Sequence, residues 1–130
     1  MRKRCLCGLL AAAMLATAFA ASHAQAACWQ GDQVQTVRGR LTVGRFVDAN
    51  DRPERPFILR LEKPVCLTDA TLGDVDDTRT IHVFAADARL QAQLRRRVGT
   101  TIVVRGKPFA RHTAHHHAPI VMDVSAIASR

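Results

Sequence analysis

The chain has 130 residues, with 19 Lys and Arg against 11 Asp and Glu, a formal net charge of +8, and an aromatic content of 5% made up of one Trp and five Phe with no Tyr. So few rings are poor provision for stacking bases, and nucleic acid is not expected as a partner despite the basic balance. The length fits one compact domain.

In chain order, the first element is a leader. Arg2, Lys3 and Arg4 precede an apolar run from Cys5 to Ala21, followed by small residues ending in Ala24-Gln25-Ala26. This is the pattern of a secretory signal peptide over residues 1–26, and it predicts an exported chain, periplasmic or secreted, formed by residues 27–130. Lipidation at Cys28 is disfavoured, because Gln25 stands three residues before it, where such signals carry an apolar side chain. No later stretch approaches the roughly 20 apolar residues needed to span a bilayer, so no transmembrane segment is expected in the mature chain. Cys5 and Cys7 leave with the leader. Cys28 and Cys66 remain, 38 residues apart, and in an oxidising compartment they predict one disulfide. Closing a loop of that size is worth about 4 kcal/mol in the chain-entropy description.

Residues 33–46 (QVQTVRGRLTVGRF) place Val37, Leu41 and Val43 on one face and Arg38, Arg40 and Thr42 on the other, the period-two pattern of a half-buried strand. Gly39 and Gly44 mark a bulge or bend in it. Residues 47–56 are polar with two prolines, a predicted loop. A second strand starts at Phe57 and resumes around Cys66 after Pro64. Residues 68–79 read as another polar loop, and residues 80–84 (TIHVF) as a short third strand. Asp87 is a suitable helix N-cap, Leu90, Leu94 and Val98 recur every four residues, and Gly99 stands at the stop. Residues 100–105 and 120–125 are the fourth and fifth strands. The fold class is therefore mainly β with one helix, in the order β-β-β-α-β-β. With a kinked first strand, that order predicts an OB-fold-like five-stranded barrel.

Between the fourth and fifth strands lies HTAHHHAP, residues 112–119. Residues two apart in an extended segment point the same way, so His115 and His117 are expected to converge and His116 to face opposite. His112 closes on the same centre if the chain bends. Three imidazoles with an open fourth position suit Zn²⁺, Cu²⁺ or Ni²⁺, which makes His112, His115 and His117, with His116 as the alternate, a candidate metal site. Two other readings stand beside it: a local network of ring nitrogens, carbonyls and packing on Phe109 or Trp29, and a pH-sensitive contact surface. Arg95, Arg96 and Arg97 suit the last turn of a helix through its dipole, and are also a candidate patch for an anionic surface. The acidic residues Asp74, Asp76 and Asp77 lack the glycine and glutamate of an EF-hand loop and are expected to be a solvated loop. No Gly-x-Ser-x-Gly or HExxH pattern is present, and the two glutamates, Glu54 and Glu62, are not tied to the histidines by spacing. No enzyme activity is expected.

The stretch RGKPFARHTAHHHAPIVMDVSAI, residues 105–127, resembles the bacterial domain of unknown function 4431 family. Gly106, Phe109, His112, Thr113 and His115 to His117 carry the resemblance, joined upstream by EKPVCL at residues 62–67 and by Cys28. Ala110, Ala114 and Ala118 depart from the family's usual histidine, glycine and threonine. The resemblance implies an exported, OB-like module and brings no activity. The expectation is then a small exported binding or accessory module, meeting a metal, an envelope component or a protein partner at its histidine loop. The alternative is a metal-dependent hydrolase using the same histidines.

Overall fold

The computed structural model describes residues 26–128. The predicted leader, apart from Ala26, lies outside the described residues. Eight strands and one helix follow in order: β1 (Trp29–Gln30), β2 (Gln35–Val43), β3 (Phe46–Val47), β4 (Pro53–Glu54), β5 (Phe57–Thr68), β6 (Val75–Phe84), α1 (Ala88–Arg97), β7 (Thr101–Ala110) and β8 (Ile120–Ala128). Five of the strands form a ring. β2 pairs antiparallel with β5 and β7, β5 antiparallel with β6, β6 parallel with β8, and β8 antiparallel with β7. This is the closed five-stranded barrel expected from the element order, and closure removes the raw edges a flat sheet would leave. The short β1 lies parallel to the end of β5, and Cys28, just before it, is disulfide-bonded to Cys66 of β5.

The core follows from alternation. Leu41, Leu59, Leu61, Ile81, Val83, Ile102, Val104, Ile120, Met122 and Val124 point inward from the five ring strands, and Leu94 of α1 joins them. Asp87 caps α1 by accepting hydrogen bonds from the amides of Arg89 and Leu90. Arg95, Arg96 and Arg97 form the last turn, and Gly99 follows with a φ of +84°, a conformation glycine takes without a side-chain penalty. Gly39 answers a different need: a Cβ there would stand 2.6 Å from the carbonyl oxygen of Arg60 on the neighbouring strand.

Several boundaries differ from the sequence expectation. The first strand ends at Val43. The chain breaks at Gly44-Arg45, and what read as a loop over 47–56 contains the β3–β4 hairpin, with Phe46 opposite Glu54 and Val47 opposite Pro53. The third strand begins at Val75 rather than Thr80, because Asp76, Asp77 and Arg79 lie exposed on a ladder that pairs without an apolar pattern to announce it. Asp74 remains outside the strand and accepts a hydrogen bond from the Asp69 amide. The fourth strand runs on through Pro108 to Ala110. Past Gly106, β7 has lost its β2 partner and pairs with β8 alone, which leaves a proline tolerable there. Val98 is exposed, not a third inward residue of the helix.

Candidate binding site at the histidine rim

Two loops meet at one edge of the barrel. The first, residues 44–56 between β2 and β5, carries the β3–β4 hairpin. The second, residues 111–119 between β7 and β8, carries the histidines. The neck of the histidine loop is closed by the Arg111 amide donating to the Pro119 carbonyl at 3.1 Å, and a turn inside it by the His116 amide donating to the Thr113 carbonyl at 3.1 Å. Ala118 is buried, so the loop is anchored between those two bonds and its buried alanine.

His115 and His117 do converge, and the group they meet is a carboxylate. Glu54 of β4 is hydrogen-bonded through Oε1 to His115 Nδ1 and through Oε2 to His117 Nε2. The side chain of His117 is 10% exposed and that of His115 66%, so one imidazole seats the clasp while the other faces solvent. The two histidine bonds hold the Glu54 carboxyl below its ordinary range. Phe46, opposite Glu54 on the hairpin, stacks on the His117 ring with centroids 4.1 Å apart and planes 17° from parallel. The hairpin thus grips His117 by both a hydrogen bond and a ring face.

His112 takes a different place from the pair of His115 and His117. Its amide donates to His116 Nδ1 at 3.2 Å, the two rings lie edge to face at 4.7 Å, and both pack on Phe109 at 5.5 and 5.4 Å. Among the described residues no group of three or more His, Cys, Asp or Glu is arranged to hold a metal ion.

His82 of β6 stands between the two sub-clusters. Its Nδ1 accepts the His117 amide at 3.3 Å, and its ring lies 6.1 Å from that of His116 and 6.0 Å from that of His117. Burial first, then the proximity of His116 and His117, pushes its pKa down to about 4. His116 is lowered for the same first reason, then by His112, His115 and His117. Beneath the loop, the buried Asp69 accepts hydrogen bonds from the amides of Thr71 and Leu72 through Oδ1 and from that of Ala110 through Oδ2. These bonds, that of Leu72 foremost, lower its pKa and fix the strand end from which the histidine loop departs.

Sequence reasoning missed Glu54, Phe46 and His82. Glu54 and Phe46 carry no local signal, since only closure of the barrel brings residues 46–54 against 111–119. His82 had one: in a period-two strand with Ile81 and Val83 inward, it must face outward.

Recesses open on either side of the Phe46–His117 stack. One, of about 500 Å³, is lined by Arg111, His112, Thr113 and His116 together with the stacked pair. The other, of about 350 Å³, runs over the outer face of β2, β5 and β6. No curated protein matches the chain. Residues 80–128 match the family model described as domain of unknown function (DUF4431), a segment that includes His82 and the whole histidine loop and leaves out Phe46 and Glu54. Over this segment the chain is similar to that family.

Proposed function

We propose that this protein is an exported binding or accessory module that takes its ligand or partner at the rim where residues 44–56 and 111–119 meet. The observation that carries the reading is the clasp of Glu54 on His115 and His117. Two otherwise independent loops are thereby held as one surface, and these are the two loops with which OB barrels commonly bind. The recess of about 500 Å³ beside the clasp has the size of a small-ligand site and presents aromatic, imidazole and guanidinium groups together. The leader pattern supports export, and the Cys28–Cys66 bridge suits an oxidising compartment.

The test is a titration of ¹⁵N-labelled residues 27–130 with lipopolysaccharide, with peptidoglycan fragments and with Zn²⁺, followed by amide shifts. Saturable shifts confined to residues 45–58 and 110–118 are expected with at least one probe. Shifts with none of them, or shifts that map to the Trp29–Cys66 end, reject the reading.

A further inference from the structure

In the antiparallel pairing of β2 with β5, Arg40 lies directly opposite Arg60, and both side chains project from the outer face of the barrel. Like charges in directly opposed positions destabilise a sheet, so such a pair calls for a counter-charge. Among the described residues neither guanidinium forms a salt bridge. On the same face, Glu62 is engaged by Arg38 at 3.6 Å.

Next to this pair lies the recess of about 350 Å³. Arg45 and Arg60 line it, with Thr42, Thr80 and the Phe46–His117 stack, and no acidic side chain does. Glu54, just beyond the stack, has both oxygens committed to His115 and His117. The floor is apolar: Ile58 is 6% exposed and Phe46 stands over the neighbouring Gly44. Exposed Val43 at the end of β2 and exposed Val47 on the hairpin add to that apolar character. A guanidinium offers a planar fork of donors that matches the oxygens of a phosphate group. The site therefore pairs two forks, Arg45 and Arg60, reinforced by Arg40, with a wall suited to a carbon skeleton.

Resting on the binding function proposed above, we propose that this recess receives a phosphate ester, the phosphate held by Arg60 with Arg40 and Arg45 and the organic part laid against Phe46 and Ile58. The chemistry is shared by soluble phosphate esters and lipid headgroups, and the experiment separates them. The mature chain is titrated with glycerol 3-phosphate, and separately with phosphatidylcholine vesicles doped with phosphatidic acid.

The expected result is saturable binding with amide shifts at Thr42, Arg60 and Thr80. Arg60→Gln and Arg40→Gln each weaken it about tenfold, the loss of a charge-assisted hydrogen bond, whereas Arg89→Gln on the exposed face of α1 leaves it unchanged. Response to the soluble ester identifies a soluble ligand, and response to the vesicles alone, with the same arginine dependence, identifies a lipid-borne one. Both support the site. Thermal melting without ligand shows that the exposed substitutions leave the fold intact, with Arg60→Gln as stable as the parent or more so. Absence of saturable response to both probes, or a response that Arg60→Gln leaves intact, overturns the proposal. If residues 45–58 and 110–118 still answer to another probe, the binding function stands and this site alone falls.

Discussion

Glu54 and His117 stand 63 residues apart in the chain and are hydrogen-bonded across two loops, with Phe46 stacked on the same imidazole. Replacing Glu54 by Gln keeps the shape and removes the charge that both histidines engage. The expected outcome is faster amide hydrogen exchange in residues 46–54 and 111–117 together, with the barrel strands unchanged. If only the hairpin loosens, the two loops are not coupled through this carboxylate.

His82 makes stability depend on pH in a defined direction. Its imidazole titrates near 6.5 when unfolded and near 4 in the fold, so between those values the unfolded chain binds the extra proton. The contribution is fully present above pH 6.5 and is lost as the pH falls toward 4. Urea midpoints measured across that window should decline for the parent and decline less for His82→Gln. The carboxylates act lower: Glu54 and Asp69 have depressed pKa values, and their contributions disappear as pH falls below the ordinary carboxylate range.

Asp69→Ala removes the acceptor of three backbone amides, that of buried Ala110 among them. A loss of about 1–3 kcal/mol is expected from leaving such a donor unpaired, read from denaturant unfolding. Asp69→Asn, which keeps one carbonyl oxygen, should lose less.

Removing the bridge between Cys28 and Cys66 with a Cys28→Ser/Cys66→Ser double variant is expected to cost about 2–4 kcal/mol. Unfolding of the parent under reducing conditions should match that of the variant. A parent insensitive to reductant would contradict the bridge.

Zinc titration addresses the metal reading of His112, His115, His116 and His117. With His112 and His116 paired to each other and His115 and His117 bound to Glu54, a metal must break existing bonds before it gains three ligands. No saturable micromolar binding is expected at neutral pH by calorimetry. A tight site abolished by both His115→Ala and His117→Ala would restore the metal site.

The fold was legible where burial imposes a period. Leu41, Leu59, Ile81 and Met122 alternate with polar neighbours, and the strand order led to the barrel. It was not legible where solvent removes the pattern: Asp76, Asp77 and Arg79 extend β6 through ladder bonds alone. The candidate site was half visible. The parity of His115 and His117 in the chain foretold that they would point together, but their common partner comes from a hairpin that reads as a polar loop. His112 stands apart from that pair because a turn at Thr113 returns His116 to its amide.

β8 is hydrogen-bonded to β6 on one side and β7 on the other, which makes the last nine-residue strand the keystone of the ring. During synthesis, every nascent chain that has reached Pro119 but not yet Ala128 lacks that keystone and exposes two unpaired flanks. Such flanks invite other copies of the same chain, so the interval before β8 emerges is when self-association is most favoured, and a truncation that removes it should precipitate rather than circulate as a loosened monomer.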